Sequence, residues 1–217
     1  MKNILSFACM LVLLGLQNLE AGPVRVYTEK KDGKQASIFY LSGPERQAVI
    51  LIDDDDALVV RKSAELFAAD LEAVTGRKAR VTTSAEGLKR CVLIGTLESS
   101  DMVRQLVEQG KIDPSPIRGG WEQYLIQTVR HPMKGISEAL VIVGSDRRGT
   151  AYGVMSLSEM IGVSPWSWWA DVPVRHHDRL YVEAEGYCSK EPSVRYRGIF
   201  LNDEDWGLTP WASKTFE

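Results

Sequence analysis

The run Leu140-Val141-Ile142-Val143-Gly144 is apolar throughout, the pattern of a central strand rather than of one with a solvated face. A helix is predicted soon after it, over about Gly149 to Met160, with Ala151, Val154, Met155 and Ile161 on an apolar stripe. Tyr152, Ser156 and Glu159 fall four and three positions apart, so they share a stripe of their own beside the apolar one.

The same alternation runs upstream. Ser37 to Leu41 and Gln47 to Ile52 read as short strands separated by the turn signal Ser42-Gly43-Pro44. Four acids, Asp53 to Asp56, follow. A calcium loop of the EF-hand type needs glycine at its sixth position, where Leu58 stands, so the acids are read as capping a helix start. That helix carries Val60, Ala64, Phe67, Leu71 and Val74 on one face and stops at Gly76. Strands are predicted at Ala79 to Thr82 and at Cys91 to Thr96. A helix from about Ser100 to Gln109 follows, with Met102, Leu106 and Val107 inward and Gly110 as its stop. Tyr124 to Arg130 alternates as a strand, and Tyr181 to Ala184 reads as one more. Strands alternating with helices give an α/β class, and Glu185 to Pro192 reads as the linker that closes the domain.

At 217 residues the chain can bury a real core, and 44% apolar with 25% charged residues is ordinary for a soluble globular protein. The formal charge of −3, without any Lys/Arg cluster, leaves no basic field for nucleic acid. Lys2, the apolar run Ile4 to Leu16 and the small pair Ala21-Gly22 have the layout of a secretory signal peptide, so residues 1–21 are set aside and a secreted or periplasmic protein is expected. No membrane association is expected after cleavage. Cys91 and Cys188 are read as free thiols, and His131, His176 and His177 lie near no cysteine, so neither zinc nor any other cofactor is expected.

The densest polar chemistry lies near the C-terminus. Val194 to Leu201 reads as an apolar strand that runs into Asn202-Asp203-Glu204-Asp205-Trp206-Gly207. In α/β barrels the C-terminal end of a strand is where catalytic side chains are placed. The plainer reading is that these acids solvate a loop and cap a helix. Trp166, Trp168 and Trp169 pose a similar choice. They read as a hydrophobic joint, with Trp168 the best candidate for stacking on a sugar ring.

The stretch 194–207, with Thr209-Pro210-Trp211-Ala212 after it, resembles the strand that opens the catalytic barrel of glycoside hydrolase family 115, the xylan α-glucuronidases. Arg148-Gly149-Thr150-Ala151-Tyr152-Gly153-Val154, the run Ile161 to Trp166 and the run Trp169 to Pro173 are similar to that family as well. The resemblance implies an α/β (α+β) domain over 22–187, a mixed sheet with helices packed on it, like the N-terminal domain of α-glucuronidases and β-hexosaminidases. Residues 188–217 would then hold a linker and the first strand of a truncated (β/α)8 barrel. A whole barrel takes about 250 residues. By resemblance, Asp203 and Glu159 are the catalytic candidates, although a helix-end acid such as Glu159 is by default a solvated one. Asn202, Glu204, Asp205, Trp206 and Trp168 are candidates for contacting the sugar. The implied activity is inverting removal of (4-O-methyl)-glucuronic acid from glucuronoxylan or its oligosaccharides, with this chain alone incomplete and a homodimer expected of the full-length protein. The rival reading is a non-catalytic module that binds carbohydrate or packs against another domain. A uronate also needs cations, and by strand alternation Arg195 and Arg197 would lie on one face of the strand near its start, far from the catalytic end.

Overall fold

The computed structural model describes residues 23–30, 38–167 and 172–200. Residues 1–22, Trp168, Trp169 and the whole of Asn202 to Trp206 lie outside the described residues.

The order of elements is β1 (Arg25–Tyr27), β2 (Ile38–Gly43), β3 (Arg46–Gln47), β4 (Val49–Ile52), α1 (Leu58–Thr75), β5 (Val81–Thr82), β6 (Arg90–Thr96) and α2 (Asp101–Glu108). Then come β7 (Tyr124–Met133), β8 (Ile136–Gly144), α3 (Arg147–Met160), a 3-10 turn (Pro165–Ser167), β9 (Leu180–Glu183) and β10 (Glu185–Cys188). The described strands form a six-stranded mixed sheet, ordered β10-β7-β8-β6-β4-β5, and a four-stranded antiparallel sheet, ordered β1-β9-β2-β3. In the larger sheet β8 runs parallel to β6, with Val92 opposite Leu140 and Ile94 opposite Ile142, and antiparallel to β7, with Ile126 opposite Ile142. The expected α/β class with helices on a mixed sheet is what the chain adopts.

The central strand is where it was expected. Leu140 and Ile142 point to one face, against Phe67 and Leu71 of α1, Val154 and Leu157 of α3 and the inner residues Phe39 and Val182 of the smaller sheet. Val141 and Val143 point to the other, against Val103 and Leu106 of α2 with Ile112 and Ile117 of the following loop. Each of these side chains removed from water contributes about 1.5–3 kcal/mol. The apolar stripe of α1 is buried at all five expected positions, and Gly76, at φ 69°, ends it with its N–H bonded to Glu72 O at 2.7 Å. In α2 the fully buried pair is Val103 and Leu106, while Met102 and Val107 are half-buried, so its stripe is turned by about one position from the expected one. Cys91 is buried on β6, where burial pushes its thiol up to about 12, and Cys188 is half-buried on β10. Both are free.

Several local readings need correction. The turn before β3 falls on Pro44-Glu45, and Ser42 and Gly43 belong to β2. The run Gln47 to Ile52 is not one strand. It breaks at Ala48, sending Arg46–Gln47 to the smaller sheet and Val49–Ile52 to the larger. Glu185 to Pro192 is not a free linker, because β10 pairs with β7, Tyr187 opposite Ile126 and Cys188 opposite Leu125. Its Glu-Gly-Tyr-Cys sequence lacks strand patterning. The pairing is supplied by the open edge of β7, and Gly186, at φ 124°, takes up the register shift. Residues 191–200 form no strand, and Ile199 and Phe200 are exposed.

The acids after β4 do not cap α1 either. Its N-cap is Ala57, with no side-chain cap. Asp53 accepts from Met102 N at 3.0 Å and from the Ser100 hydroxyl, across the gap to α2. Asp56 accepts from Thr96 N at 2.8 Å, Ser99 Oγ at 2.6 Å and Ala57 N at 2.7 Å. These two carboxylates tie together the loops at the C-terminal ends of β4 and β6. Among the described residues Asp54 pairs with Arg61, at 2.8 Å on the surface. Asp56→Ala leaves the Thr96 amide at a buried position without its acceptor, and is expected to lower the unfolding free energy by about 2 kcal/mol in urea titration. Asp54→Ala is expected to stay within about 0.5 kcal/mol of the parent.

Candidate functional site

Asp146, at the N-cap of α3, joins three pieces of chain. Its Oδ1 accepts from Arg148 N at 2.9 Å and Gly149 N at 2.8 Å, satisfying the helix start, and its Oδ2 accepts from Glu122 N at 2.7 Å. Gly149 permits the close approach that this requires. A Cβ there would stand 2.2 Å from Gln123 O. The loop Trp121-Glu122-Gln123 is therefore pressed onto the first turn of α3.

That loop carries a buried carboxylate. The Glu122 side chain is 3% exposed and its backbone is left-handed, at φ 55°. It receives two guanidinium groups, Arg148 at 2.9 Å on Oε1 and Arg197 on Oε2. Arg197 lies over the Trp121 ring at 5.4 Å and over the Tyr152 ring at 5.8 Å. Hydrogen bonding to Glu122 raises the pKa of Arg197 above the usual range, and bonding to Tyr152 does the same for Arg148. Residues 185–197 thus run along the domain as a fitted strap. Ser189 N donates to Tyr124 O at 2.9 Å, Tyr124 N to Ser189 Oγ at 2.9 Å, and Trp121 N to Glu191 Oε1 at 3.0 Å.

From this loop α3 presents Arg148, Tyr152, Ser156 and Glu159 along one side. The Tyr152 hydroxyl accepts from Arg148 Nη2 at 3.2 Å, and the hydroxyls of Ser156 and Tyr124 share a hydrogen bond of 2.7 Å. Burial pushes the Tyr124 pKa up, and the Glu159 charge adds to it. Tyr152 is the common wall of two clefts. One, of about 490 Å³, is bounded by Leu66 and Asp70 of α1, by Tyr152, Met155, Ser156 and Glu159 of α3 and by Val163 to Pro165. The other, of about 410 Å³, is bounded by Glu122, Tyr124, Tyr152, Tyr187, Lys190 and Arg197. The polar stripe read from the sequence is therefore real, and it is the ridge between two concavities.

Of the catalytic candidates, Glu159 sits on this ridge, exposed and beside the larger cleft. Asp203, Asn202, Glu204, Asp205, Trp206 and Trp168 lie outside the described residues. Trp166, part of the aromatic cluster read as a joint, is 62% exposed. Arg195 and Arg197 do not share a strand face. Arg197 turns inward to Glu122, and Arg195 lies over the Tyr196 ring at 6.0 Å. The Glu122 cluster was missed altogether. A lone acid after Gly119-Gly120 and before the apolar start of β7 was its one signal in the sequence.

The fold has counterparts among known proteins. The sequence model for glycosyl hydrolase family 115 matches residues 189–217. A solved family GH115 4-O-methyl-α-glucuronidase, with specificity for decorated arabinogalactans, superposes with a TM-score of 0.63 at 34% identity over 82% of this chain. The likeness is to family 115. The chain spans 22% of the length of that family 115 enzyme. An N-acetyl-β-hexosaminidase of Streptomyces plicatus also aligns, at 14% identity and a TM-score of 0.40, over 72% of this chain and 24% of its own. No curated protein matches. The family 115 likeness covers both the sheet domain and the strap, and it supports a glycoside hydrolase.

Asp70, in the wall of the larger cleft, has its carboxyl pushed above the usual aspartate range by burial. A carboxylate whose folded pKa is raised opposes folding at pH values above that pKa, and the penalty shrinks as pH falls through it and is gone below the unfolded pKa. Asp70→Asn is therefore expected to raise the melting temperature at pH 7, with the gain shrinking toward zero as pH falls through the aspartate range. Melting curves from pH 7 to pH 3 check it.

Proposed function

We propose that the chain is the N-terminal part of a secreted family 115 glycoside hydrolase that removes glucuronic acid, with or without its 4-O-methyl group, from glucuronoxylan. The observation that carries this is the 34% identity to a 4-O-methyl-α-glucuronidase, together with the family match over 189–217. Because that relative is named for decorated arabinogalactans, the carrier polysaccharide is the open variable of the reading and both belong in the test.

The chemistry is hydrolysis with inversion. One carboxylic acid protonates the glycosidic oxygen as the bond to the anomeric carbon breaks. A carboxylate on the opposite face takes a proton from the water that attacks that carbon, the two groups standing about 6.5–9.5 Å apart. Asp203 and Glu159 are proposed for this chemistry, with Asn202 beside Asp203 as a donor to a substrate hydroxyl or carboxylate. Glu204, Asp205, Trp206 and Trp168 are proposed to line the sugar. Distance permits the pairing. Arg197 touches Tyr152, Glu159 lies two helical turns or about 10 Å further along α3, and six residues of chain from Arg197 to Asp203 can span at most about 20 Å.

The 217-residue chain is expected to release no glucuronic acid by itself. A parent protein that continues past Glu217 is expected to release it from glucuronoxylan or from decorated arabinogalactan, with the β-anomer appearing first by NMR. Asp203→Ala in that parent should lower turnover by at least about a thousandfold with an unchanged melting temperature. Activity from the 217-residue chain, or full activity of the variant, would sink this reading. Polysaccharide binding lost on Trp168→Ala and indifferent to Asp203→Ala would favour a binding module instead.

A further inference from the structure

The end of the larger sheet where β8 begins carries a charge pattern that no single stretch of sequence displays. Two clefts meet there. One, of about 650 Å³, lies between α2 and the β7–β8 turn and is lined by Lys89, Lys111 and Lys134 with Gln105 and Gln109. The other, of about 330 Å³, is lined by Arg46 of β3, Arg90 of β6, Arg130 of β7 and Glu138 of β8. His131 and Ser137 belong to the wall of both, so the two are continuous. Six lysines and arginines thus face a single acid, in a chain that has 26 such cations against 29 acids. Topology assembles them. Pairing of β8 with β6 and β7 sets Arg90 and Arg130 on either side of Glu138, and Arg46 arrives from the smaller sheet.

The one acid does not cancel this charge, because Glu138 pairs with Arg90. Among the described residues Lys89, Lys111 and Lys134 form no ion pair, and Lys89 and Lys134 are exposed. Arg46 lies over the Tyr40 ring at 5.7 Å, a contact that leaves its charge in place. His131 enters the shared wall through a bulge: three steps of β7, from Arg130 to Met133, are matched by two of β8, from Glu138 to Ile136, and His131 itself is left-handed at φ 48°. Like charges gathered in concave ground raise the local concentration of anions. The walls hold no Phe, Tyr or Trp on which bases would stack, and their neutral groups, Gln105, Gln109 and Ser137, suit hydroxyls. Carboxylates set among many hydroxyls are the chemistry of an acidic glycan.

We propose that this cationic surface binds a uronate-bearing polysaccharide, its ammonium and guanidinium groups pairing with the sugar carboxylates. It is a holding site at the opposite end of β8 from the α3 ridge, Glu138 standing six residues or about 20 Å along the strand from Gly144. This rests on the reading above that the parent protein acts on a glycan decorated with glucuronic acid.

The test is affinity electrophoresis of the 217-residue chain through gels containing glucuronoxylan or decorated arabinogalactan, and through the same polymers after their carboxyl groups have been reduced to alcohols. At least one native polymer should retard the chain at low salt, and its reduced form should not. Binding should weaken at least about tenfold as salt rises from about 0.01 M to 0.15 M, since exposed pairs are screened. Lys89→Gln with Lys134→Gln should weaken it about fivefold or more, and Arg46→Gln about threefold or more, with melting temperatures unchanged because these side chains are exposed. Lys62→Gln with Lys78→Gln, which removes the same charge as the lysine pair but from the α1 side, should bind like the unsubstituted chain. Site variants that bind like the unsubstituted chain, an equal loss in the α1 pair, equal retardation by the reduced polymers or no retardation by either native one overturns the proposal. So does tighter binding of oligothymidine than of either polymer, which would mark a surface for nucleic acid. Glucuronidase activity of a parent that continues past Glu217 is measured separately. Activity without binding at this surface sinks this proposal alone, and binding without activity sinks the catalytic reading alone.

Discussion

Burial of β8 on both faces is the constraint on which the rest of the structure depends. A strand with Leu140 and Ile142 on one side and Val141 and Val143 on the other needs an apolar layer over each face, and no single helix can supply both. α1 and α3, with the smaller sheet, cover one face, and α2 with residues 112–117 covers the other. Once β8 is central, its C-terminal end at Gly144 is fixed, and the chain must turn there into α3. Gly144 has no room for a side chain, since a Cβ would stand 2.0 Å from Thr150 N. The position of the α3 ridge, and of both clefts, follows from that turn.

Asp146 turns a packing solution into a site. Its carboxylate serves the helix start with one oxygen and the Glu122 amide with the other, so the cap of α3 and the loop before β7 are one hydrogen-bonded unit. β7 is the antiparallel neighbour of β8, and its first residues meet the last residues of β8, Tyr124 opposite Gly144. The same antiparallel register brings Glu122 beside Arg148, although they are far apart in the chain. β10 then adds to the open edge of β7 and delivers the strap to the same corner.

How much of this could be read in the sequence depended on the range of the interaction. Helix stripes and the two-faced apolar strand are set by spacing within one segment, and α1, α3 and β8 were legible for that reason. The Tyr152-Ser156-Glu159 stripe was legible on the same grounds. What failed was whatever a distant partner decides. Asp53 and Asp56 precede α1 and look like its caps, yet their acceptor oxygens face amides and hydroxyls from 96–102, which form the stronger set of otherwise unmatched donors. Glu185-Gly186-Tyr187-Cys188 has linker composition and becomes a strand because β7 offers it an edge. Arg197 was assigned to a strand face by alternation, but alternation holds only where a strand forms. Glu122 had no local signature, since its environment comes from α3 on one side and the strap on the other.

Electrostatics at this corner limits what the arginines can do for a substrate. A carboxylate held out of water needs cations close by, and Glu122 has two, each bonded to it through Nη2. Withdrawing Arg197 to bind a uronate would break the bond to a carboxylate that is 3% exposed and remove a ring contact on each side of the guanidinium. An external carboxylate in water offers no comparable return for the lost bond to a buried one. Arg148 and Arg197 therefore belong to the architecture of the corner rather than to recognition of an anion. Lys190, in the wall of the smaller cleft, forms no ion pair among the described residues and is the cation there that could meet one at low cost. The corner thus separates two electrostatic tasks: two partly exposed arginines paired on one buried carboxylate, and an adjoining surface whose charge is still available.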